Sequence, residues 1–488
     1  MIHHILIGIL IAVQVLYLFA LLVTIWMKQL PVNLVSTDLA DRLPENELPP
    51  IILFYPLLRE MEETMRTTLL GMSEATYPKH LLRVICVPNH DDAETIAHAR
   101  TLQSEFSFLE LMPVPKTSDP SWGVVWSSWD MNAKAYWWHT GKRAGSTDLP
   151  PKKTRQLIWA MYQLAGDNPE ALLSYIDADS VVPRDFWQTA AVGMRTYDVV
   201  QNTNITGNLL ATWPASFYAM DHISWDSTTY KHMTANGKHP FYVLGKGLFF
   251  RFRDLLEVGG FHPWLTIEDP EIGMRMWTNG AKLGVVESPL VEEVPQTWLQ
   301  GVTQRKRWVA GFFQSLTSPL VHMGMPFRKR LRARLNFVPC LSLIINPVGF
   351  AVGIWALVAA SRSDQPLTST PVIVLALFTF GLALMVMGFG WFNAWKRTKP
   401  VLSSNRDRLR YFLRVNPIFL LVYWLWWSWP LVKGFKMFVL DRGLVWERTE
   451  KTNANGALIR AQVQPLAGAK HALGTEERSM AAESGPAK

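Results

Sequence analysis

Cysteine and charge are both scarce in this chain of 488 residues, which holds 2 cysteines and 18% charged residues. Cys86 and Cys340 lie far apart in apolar runs, which excludes a disulfide scaffold and a zinc site built on cysteines. Hydrophobic residues at 49% and 22 tryptophans exclude an intrinsically disordered chain. Because tryptophan favours the lipid interface, this composition predicts a membrane protein with a soluble domain.

The N-terminal segment lacks lysine and arginine up to Lys28. Residues 5–27 are apolar apart from Gln14, Tyr17 and Thr24, which is enough to span a hydrocarbon core of about 30 Å. With no basic start and no A-x-A-like cleavage site, the segment is interpreted as an uncleaved signal anchor. Lys28 follows it, so the positive-inside rule predicts that the chain from residue 28 onward is cytoplasmic. We expect an integral protein of the plasma or inner membrane.

Three further apolar runs, at 335–360, 371–395 and 415–432, predict membrane segments after a long soluble region. One basic cluster precedes the first run and another follows the second. Both clusters should be cytoplasmic, so the loop between the two runs should face outward. Residues 327–335 predict a basic helix lying along the membrane surface. If residues 415–432 cross the whole membrane, the C-terminal tail lies on its outer side. The lysines and arginines of that tail favour the cytoplasm instead. Pro417 and Pro430 would also allow a re-entrant or interfacial segment, and we favour a cytoplasmic tail.

The soluble region alternates predicted strands, at 51–55, 82–87 and 172–176, with predicted helices at 61–70 and 95–106. This alternation indicates a doubly wound α/β sheet, whose ligands bind at the carboxyl ends of the strands. No G-x-G-x-x-G fingerprint or P-loop is present. The predicted organisation is a membrane helix at 1–28, a linker at 29–50, an α/β domain at 51–320, interfacial and membrane helices at 321–440, and a tail at 441–488.

Acidic clusters stand where such strands should end. Asp177 and Asp179 leave an apolar strand one residue apart, so both carboxylates can face one divalent cation, although an isolated D-x-D is also common in turns. Asp91 and Asp92 follow the second strand and could bind a ribose or base, or form an Asx-rich turn.

Glu268 and Asp269 form a third acidic pair, followed by Pro270. One of two adjacent carboxylates in a cleft can act as a general base. The same residues also suit the first turn of a helix with proline at its start, and the two interpretations are compatible.

A basic segment stands ahead of the predicted membrane region. Gln304, Arg305, Arg307 and Trp308 could stabilise a leaving diphosphate and stack on a sugar, whereas a juxtamembrane basic run alone more often contacts lipid headgroups. In this order, over roughly residues 50–315, the four motifs resemble the D, D-x-D, E-D and Q-x-x-R-W series of the family 2 glycosyltransferases.

The resemblance implies a GT-A fold, and it implies transfer of a sugar from a nucleotide diphosphate, in this case UDP, to an acceptor hydroxyl with inversion. It implies that Asp177 and Asp179 bind the donor together with Mg²⁺ or Mn²⁺. Asp269, with Glu268 beside it, would be the general base. Lys134 would lie near the donor diphosphate. Gln304, Arg305, Arg307 and Trp308 would line the acceptor and leaving-group side. Trp446, Arg448 and Thr449 lie in a segment similar to the gating loop of processive relatives.

One motif departs from the common family pattern. The sequence His90-Asp91-Asp92 is closer to ceramide glucosyltransferases, and which aspartate contacts uridine stays open, with Asp92 preferred.

The acceptor also stays open at this level. A polysaccharide is placed slightly ahead of a membrane lipid, and an inactive carbohydrate-assembly subunit is the third alternative. Expected partners are the nucleotide sugar, the acceptor, the bilayer, and a second copy or an export subunit. Nucleic acid is excluded because the positive residues cluster at membrane edges.

Overall fold

A seven-stranded sheet organises the soluble part of the chain. The computed structural model describes residues 2–225, 231–234, 244–245, 247–362, 370–440 and 452–456. Its strands are β1 (Ile51–Tyr55), β2 (Leu82–Cys86), β3 (Leu109–Leu111), β4 (Leu172–Tyr175), β5 (Val199–Thr206), β6 (Leu248–Arg251) and β7 (Leu283–Glu292). Their order is β3-β2-β1-β4-β6-β5-β7, and β6 alone runs antiparallel to its neighbours β4 and β5. The mostly parallel sheet confirms the predicted α/β class.

Helices cover both faces of the sheet and continue into the membrane region. They are α1 (Ile2–Met27), α2 (Glu62–Glu74), α3 (Ala93–Gln103), α4 (Gly123–Met131), α5 (Tyr136–His139), α6 (Lys153–Gln163), α7 (Phe186–Gly193), α8 (Trp213–Ser224), α9 (Lys231–Thr234), α10 (Phe252–Glu257), α11 (Asp269–Thr278), α12 (Trp298–Leu316), α13 (Phe327–Leu335), α14 (Ser342–Ala360), α15 (Thr370–Arg397), α16 (Asn405–Arg414), α17 (Pro417–Trp426) and α18 (Ser428–Val439). Short 3₁₀ helices occupy Leu39–Asp41, Glu45–Glu47, Lys79–Leu81, Pro120–Trp122 and Val338–Leu341.

The central strands are buried on both faces because they are continuously apolar. In β1, Ile52 and Phe54 pack into one core and Leu53 and Tyr55 into the other, as the two-residue period of a strand requires. The strands β1, β2 and β4 are parallel, so their carboxyl ends meet at one edge of the sheet. This edge therefore gathers the polar segments that follow β2 and β4.

Three helical segments of the described residues are long and apolar enough to cross a membrane: Ile7–Met27, Thr370–Arg397 and Pro417–Val439. They agree with membrane integration. The helix α14 packs against α1, and α13 has the bounds predicted for the basic helix.

The segment α17–α18 runs alongside α12 of the sheet domain. Trp298 at the start of α12 contacts Trp426, with ring centroids 5.3 Å apart, and Phe313 near its end contacts Phe438 at 5.6 Å. At Gly434 the two helices approach so closely that a Cβ would lie 2.6 Å from the carbonyl oxygen of Lys306. Both ends of α17–α18 thus lie on the sheet domain.

Candidate active site

The D-x-D and E-D motifs come together at the carboxyl edge of the sheet. Asp177 and Asp179 follow β4, while Glu268 and Asp269 begin α11. Lys153 at the start of α6 joins the two motifs: its Nζ lies 3.0 Å from Asp177 Oδ1 and 3.3 Å from Glu268 Oε1. Lys153 therefore contacts one predicted carboxylate of each motif.

Asp269 stands at the N-terminus of α11, followed by Pro270 in the first turn, as expected. The Tyr175 hydroxyl donates a hydrogen bond of 2.5 Å to Asp269 Oδ1. Removal from water and the neighbouring charge of Glu268 raise the pKa of Asp269 to about 7, against the opposing effects of Lys153 and the Tyr175 hydroxyl. A carboxylate with such a pKa is suited to accept a proton near neutral pH.

Lys153 is a site residue that the sequence prediction missed. Burial alone would lower the pKa of Lys153, but the charges of Asp177, Glu268 and Asp269 raise it above its ordinary value, so the side chain stays cationic. The signal in the sequence is a basic run at 152–155, after Pro150 and Pro151 and before β4. That run places a lysine at the N-terminus of a helix that enters the site.

Asp177 and Asp179 have different surroundings. The Asp177 side chain is 49% exposed, whereas Asp179 is buried and its Oδ2 accepts the backbone N–H of Glu293 at 2.8 Å. Within the described residues no group of three or more His, Cys, Asp and Glu side chains could hold a metal ion. Two carboxylates without a third protein ligand fit Mg²⁺ or Mn²⁺ that takes its other ligands from a diphosphate and water.

The helix α12 supplies the opposite wall. Gln304, Arg307 and Trp308 face a cavity of about 230 Å³ that also contains Asp177, Asp179, Lys153 and Asp269 in its lining. Trp427 and Leu431 of α17–α18 complete this wall. The site is therefore closed by a segment more than 100 residues beyond α12 in sequence.

Arg305 has a different position from the one expected. Its side chain is fully buried, its Nη2 lies 2.7 Å from Asp221 Oδ2, and its guanidinium lies 3.8 Å from the centre of the Tyr218 ring. It is absent from the cavity lining. Its described contacts join α12 to α8, so Arg305 holds α12 in place.

The aspartates after β2 also differ from each other. Asp92 is buried and caps α3 by accepting the Thr95 N–H, and its Oδ2 accepts the Arg59 N–H at 2.6 Å. The Asp91 side chain is 71% exposed. Because backbone donors already use the Asp92 carboxylate, we propose the exposed Asp91 for the nucleotide contact; neither residue lines the cavity.

Lys134, which the resemblance places near the diphosphate, lies at the surface. Its Nζ lies 2.5 Å from Glu257 Oε1 at the surface, and it is absent from the cavity lining. The lysine that contacts the D-x-D and E-D carboxylates is Lys153.

A short piece of the C-terminal tail lies against the back of the D-x-D loop. Asn455 Nδ2 donates to the carbonyl oxygen of Asp179 at 3.1 Å, and Glu293 Oε2 accepts the N–H of Thr452 at 3.0 Å. The predicted gating residues Trp446, Arg448 and Thr449 fall outside the described residues. The described contacts show that the chain just after them returns to the active-site domain.

Known proteins were compared with this chain. A search of curated proteins found no match. The mannosyltransferase PcManGT from Pyrobaculum calidifontis, solved in complex with GDP-Man and Mn²⁺, is similar with a TM-score of 0.52 and 16% identity, over 91% of this chain and 100% of that one. S. aureus TarS 1-349 in complex with UDP-GlcNAc has a TM-score of 0.31 and 10% identity, over 83% and 95%. At 16% identity the likeness to PcManGT shows the fold alone, a GT-A fold.

The family model described as Glycosyl transferase family group 2 matches residues 172–439, more than half of the chain. This range includes the D-x-D, E-D and Q-x-x-R-W motifs and continues through α18. The chain therefore belongs to the family 2 glycosyltransferases and is a transferase.

Proposed function

We propose that the protein is a membrane-bound, metal-dependent, inverting glycosyltransferase that uses a nucleotide diphosphate sugar, with UDP as the nucleotide. The observation that carries this proposal is that Lys153 bridges Asp177 and Glu268, while Asp269, Asp177 and Asp179 line one cavity with it. Such a cavity offers a base for the acceptor and cations for the leaving group, as a single displacement requires.

Asp269 is the proposed general base. It removes the proton from the acceptor hydroxyl, whose oxygen attacks the anomeric carbon from the side opposite the diphosphate. The new C–O bond forms as the bond from the anomeric carbon to the diphosphate oxygen breaks, which inverts that centre. Lys153 and Arg307 are placed to stabilise the charge that develops on the departing diphosphate.

Asp177 and Asp179 would hold the metal, which when bound neutralises charge on the diphosphate. The backbone N–H of Glu293 fixes the Asp179 carboxylate, so this ligand is oriented before the donor arrives. Trp308, beside Gln304 and Arg307 on the cavity wall, offers an indole against which a sugar ring can stack.

The proposal is tested by nucleotide release from protein purified in detergent, against UDP- and GDP-sugars with Mg²⁺ or Mn²⁺. Asp269→Asn should abolish release while leaving donor affinity close to that of the wild type, because the amide keeps the shape of the carboxylate but not its basicity. Turnover of Asp269→Asn at the wild-type rate would remove Asp269 from the mechanism. Failure of all donors with added membrane extract would overturn the proposed activity.

A further inference from the structure

A second cavity, of about 130 Å³, lies between the membrane-region helices and the active-site domain. Its lining comes from α1, α8, α15 and α17 and is mainly apolar, including Ala20, Leu21, Met387, Leu420 and Trp424. Three of these helices, α1, α15 and α17, lie in candidate membrane spans. The cavity is therefore placed where a hydrocarbon chain can reach it.

This cavity adjoins the active-site cavity. Asp221, Trp225 and Trp427 line both of them. The Asp221 carboxylate is already bound by Arg305 and by the Tyr423 hydroxyl, so the shared wall presents mainly two indole rings. A molecule with a polar end in the active site and an apolar end in the second cavity would pass along these rings.

The depth of the second cavity matches one leaflet. Its lining on α1 extends from Lys28, at the end of the candidate span, to Tyr17. That distance is about 16 Å at roughly 1.5 Å per residue, or about half of a hydrocarbon core of about 30 Å. A polysaccharide has too many hydroxyls for such a lining, where few partners replace their hydrogen bonds to water.

We propose that the second cavity binds the hydrocarbon chain of a hydroxyl-bearing membrane lipid, whose headgroup is the acceptor in the active site. The inference rests on the proposed glycosyl transfer and commits its acceptor to a lipid rather than a polysaccharide. Binding of the chain positions the hydroxyl at Asp269, since the two cavities share a wall.

Two glycines of α15 provide the test variant and its control. A Cβ at Gly390 would stand 3.5 Å from Ser224 Oγ and 3.8 Å from Met220, in ordinary van der Waals contact, so the rest of the side chain in Gly390→Leu should extend into the second cavity. Gly381 has nothing within 4 Å and is exposed on the same helix. Both changes raise helix propensity equally, so only the occupancy of the cavity differs.

The experiment uses the full chain in nanodiscs with a ceramide or diacylglycerol that carries a photoactivatable diazirine in its chain. In the wild type and in Gly381→Leu, cross-links should map to residues around Met387 and Trp424. Gly390→Leu should lose at least about tenfold of this labelling and raise the KM for the lipid acceptor by a similar factor, at 1.4 kcal/mol per tenfold. Nucleotide release to water, without acceptor, should stay within twofold.

The cavity can also be widened, which keeps the test valid if Gly390→Leu fails to fold. Met387→Ala should shift acceptor preference toward a lipid with a bulkier, branched chain. Unchanged labelling and KM in Gly390→Leu, or unchanged chain preference in Met387→Ala, would overturn the proposal. So would a water-soluble polymer as the product. Loss of labelling in Gly390→Leu without transfer by any protein would support the lipid site while the proposed function fails.

Discussion

Replacing Tyr175 with phenylalanine tests the assignment of Asp269 as the general base. The Tyr175 hydroxyl donates a hydrogen bond of 2.5 Å to Asp269 Oδ1 and so favours the charged carboxylate. Removing this donor leaves the neighbouring acids in place and should therefore raise the pKa of Asp269 further.

The size of the shift follows from the hydrogen bond. A bond to a charged group contributes about 1.5–3 kcal/mol, and one pKa unit corresponds to about 1.4 kcal/mol, which gives a rise of roughly one to two units. A base must be unprotonated to act, so activity falls as the pH drops below its pKa. With a wild-type pKa of about 7, activity at pH 6 should be roughly a tenth of the plateau, and in Tyr175→Phe about a hundredth or less.

The measurement is kcat/KM for nucleotide release between pH 5 and 9, because this parameter reports the free enzyme. Tyr162→Phe is the matched control: its hydroxyl is buried in the same core, near Trp129 and Arg275 rather than the site carboxylates, so its profile should match the wild type. A wild-type profile that is flat from pH 5 to 8, or a Tyr175→Phe profile with an unmoved acid limb, would refute the role of Asp269.

Three further predictions test the roles of individual site residues with different measurements. Arg307→Ala should slow transfer at least about tenfold with little change in melting temperature. Arg305→Ala should instead destabilise the fold by about 3–5 kcal/mol, because Asp221 is left buried without the arginine. The opposite pattern in thermal melts and turnover would reject both roles. Asp91→Ala should raise the KM for the donor, and Asp92→Ala should cost about 1 kcal/mol of stability through the lost helix cap, as urea unfolding and donor titration would show. Asp179→Ala should weaken donor binding in Mg²⁺ but not in EDTA, and equal affinities of mutant and wild type in both conditions would exclude the metal site.

The sequence predicted features that depend on local patterns. The apolar run at 51–55 forms β1, and the basic run at 327–335 forms α13 with the predicted bounds. Asp269, followed by Pro270, begins α11. In each case the period, the charge pattern or the position of proline determines the local conformation. The D-x-D and E-D motifs could likewise be assigned to strand and helix ends.

The choice between similar residues depended on tertiary packing. Arg305 and Arg307 are two positions apart on α12 and so point to different sides of the helix, but the sequence does not say which side meets Asp221. Lys153 reaches Asp177 and Glu268 because the N-terminus of α6 lies at the carboxyl end of β4. The basic run at 152–155 marks the lysine but does not state this placement. Asp92 was preferred for uridine, whereas in the structure it caps α3, a position that aspartate favours.

The packing of α17–α18 on α12 has a consequence for dissecting this enzyme. A gene fragment ending near residue 320 would encode the sheet and all of its acidic residues, yet it would lack Trp427 and Leu431 and leave the apolar side of α12 bare. Such a fragment should aggregate when expressed alone. Supplying residues 321–440 as a separate polypeptide should restore solubility and turnover together, because catalysis and membrane attachment share one unit of folding.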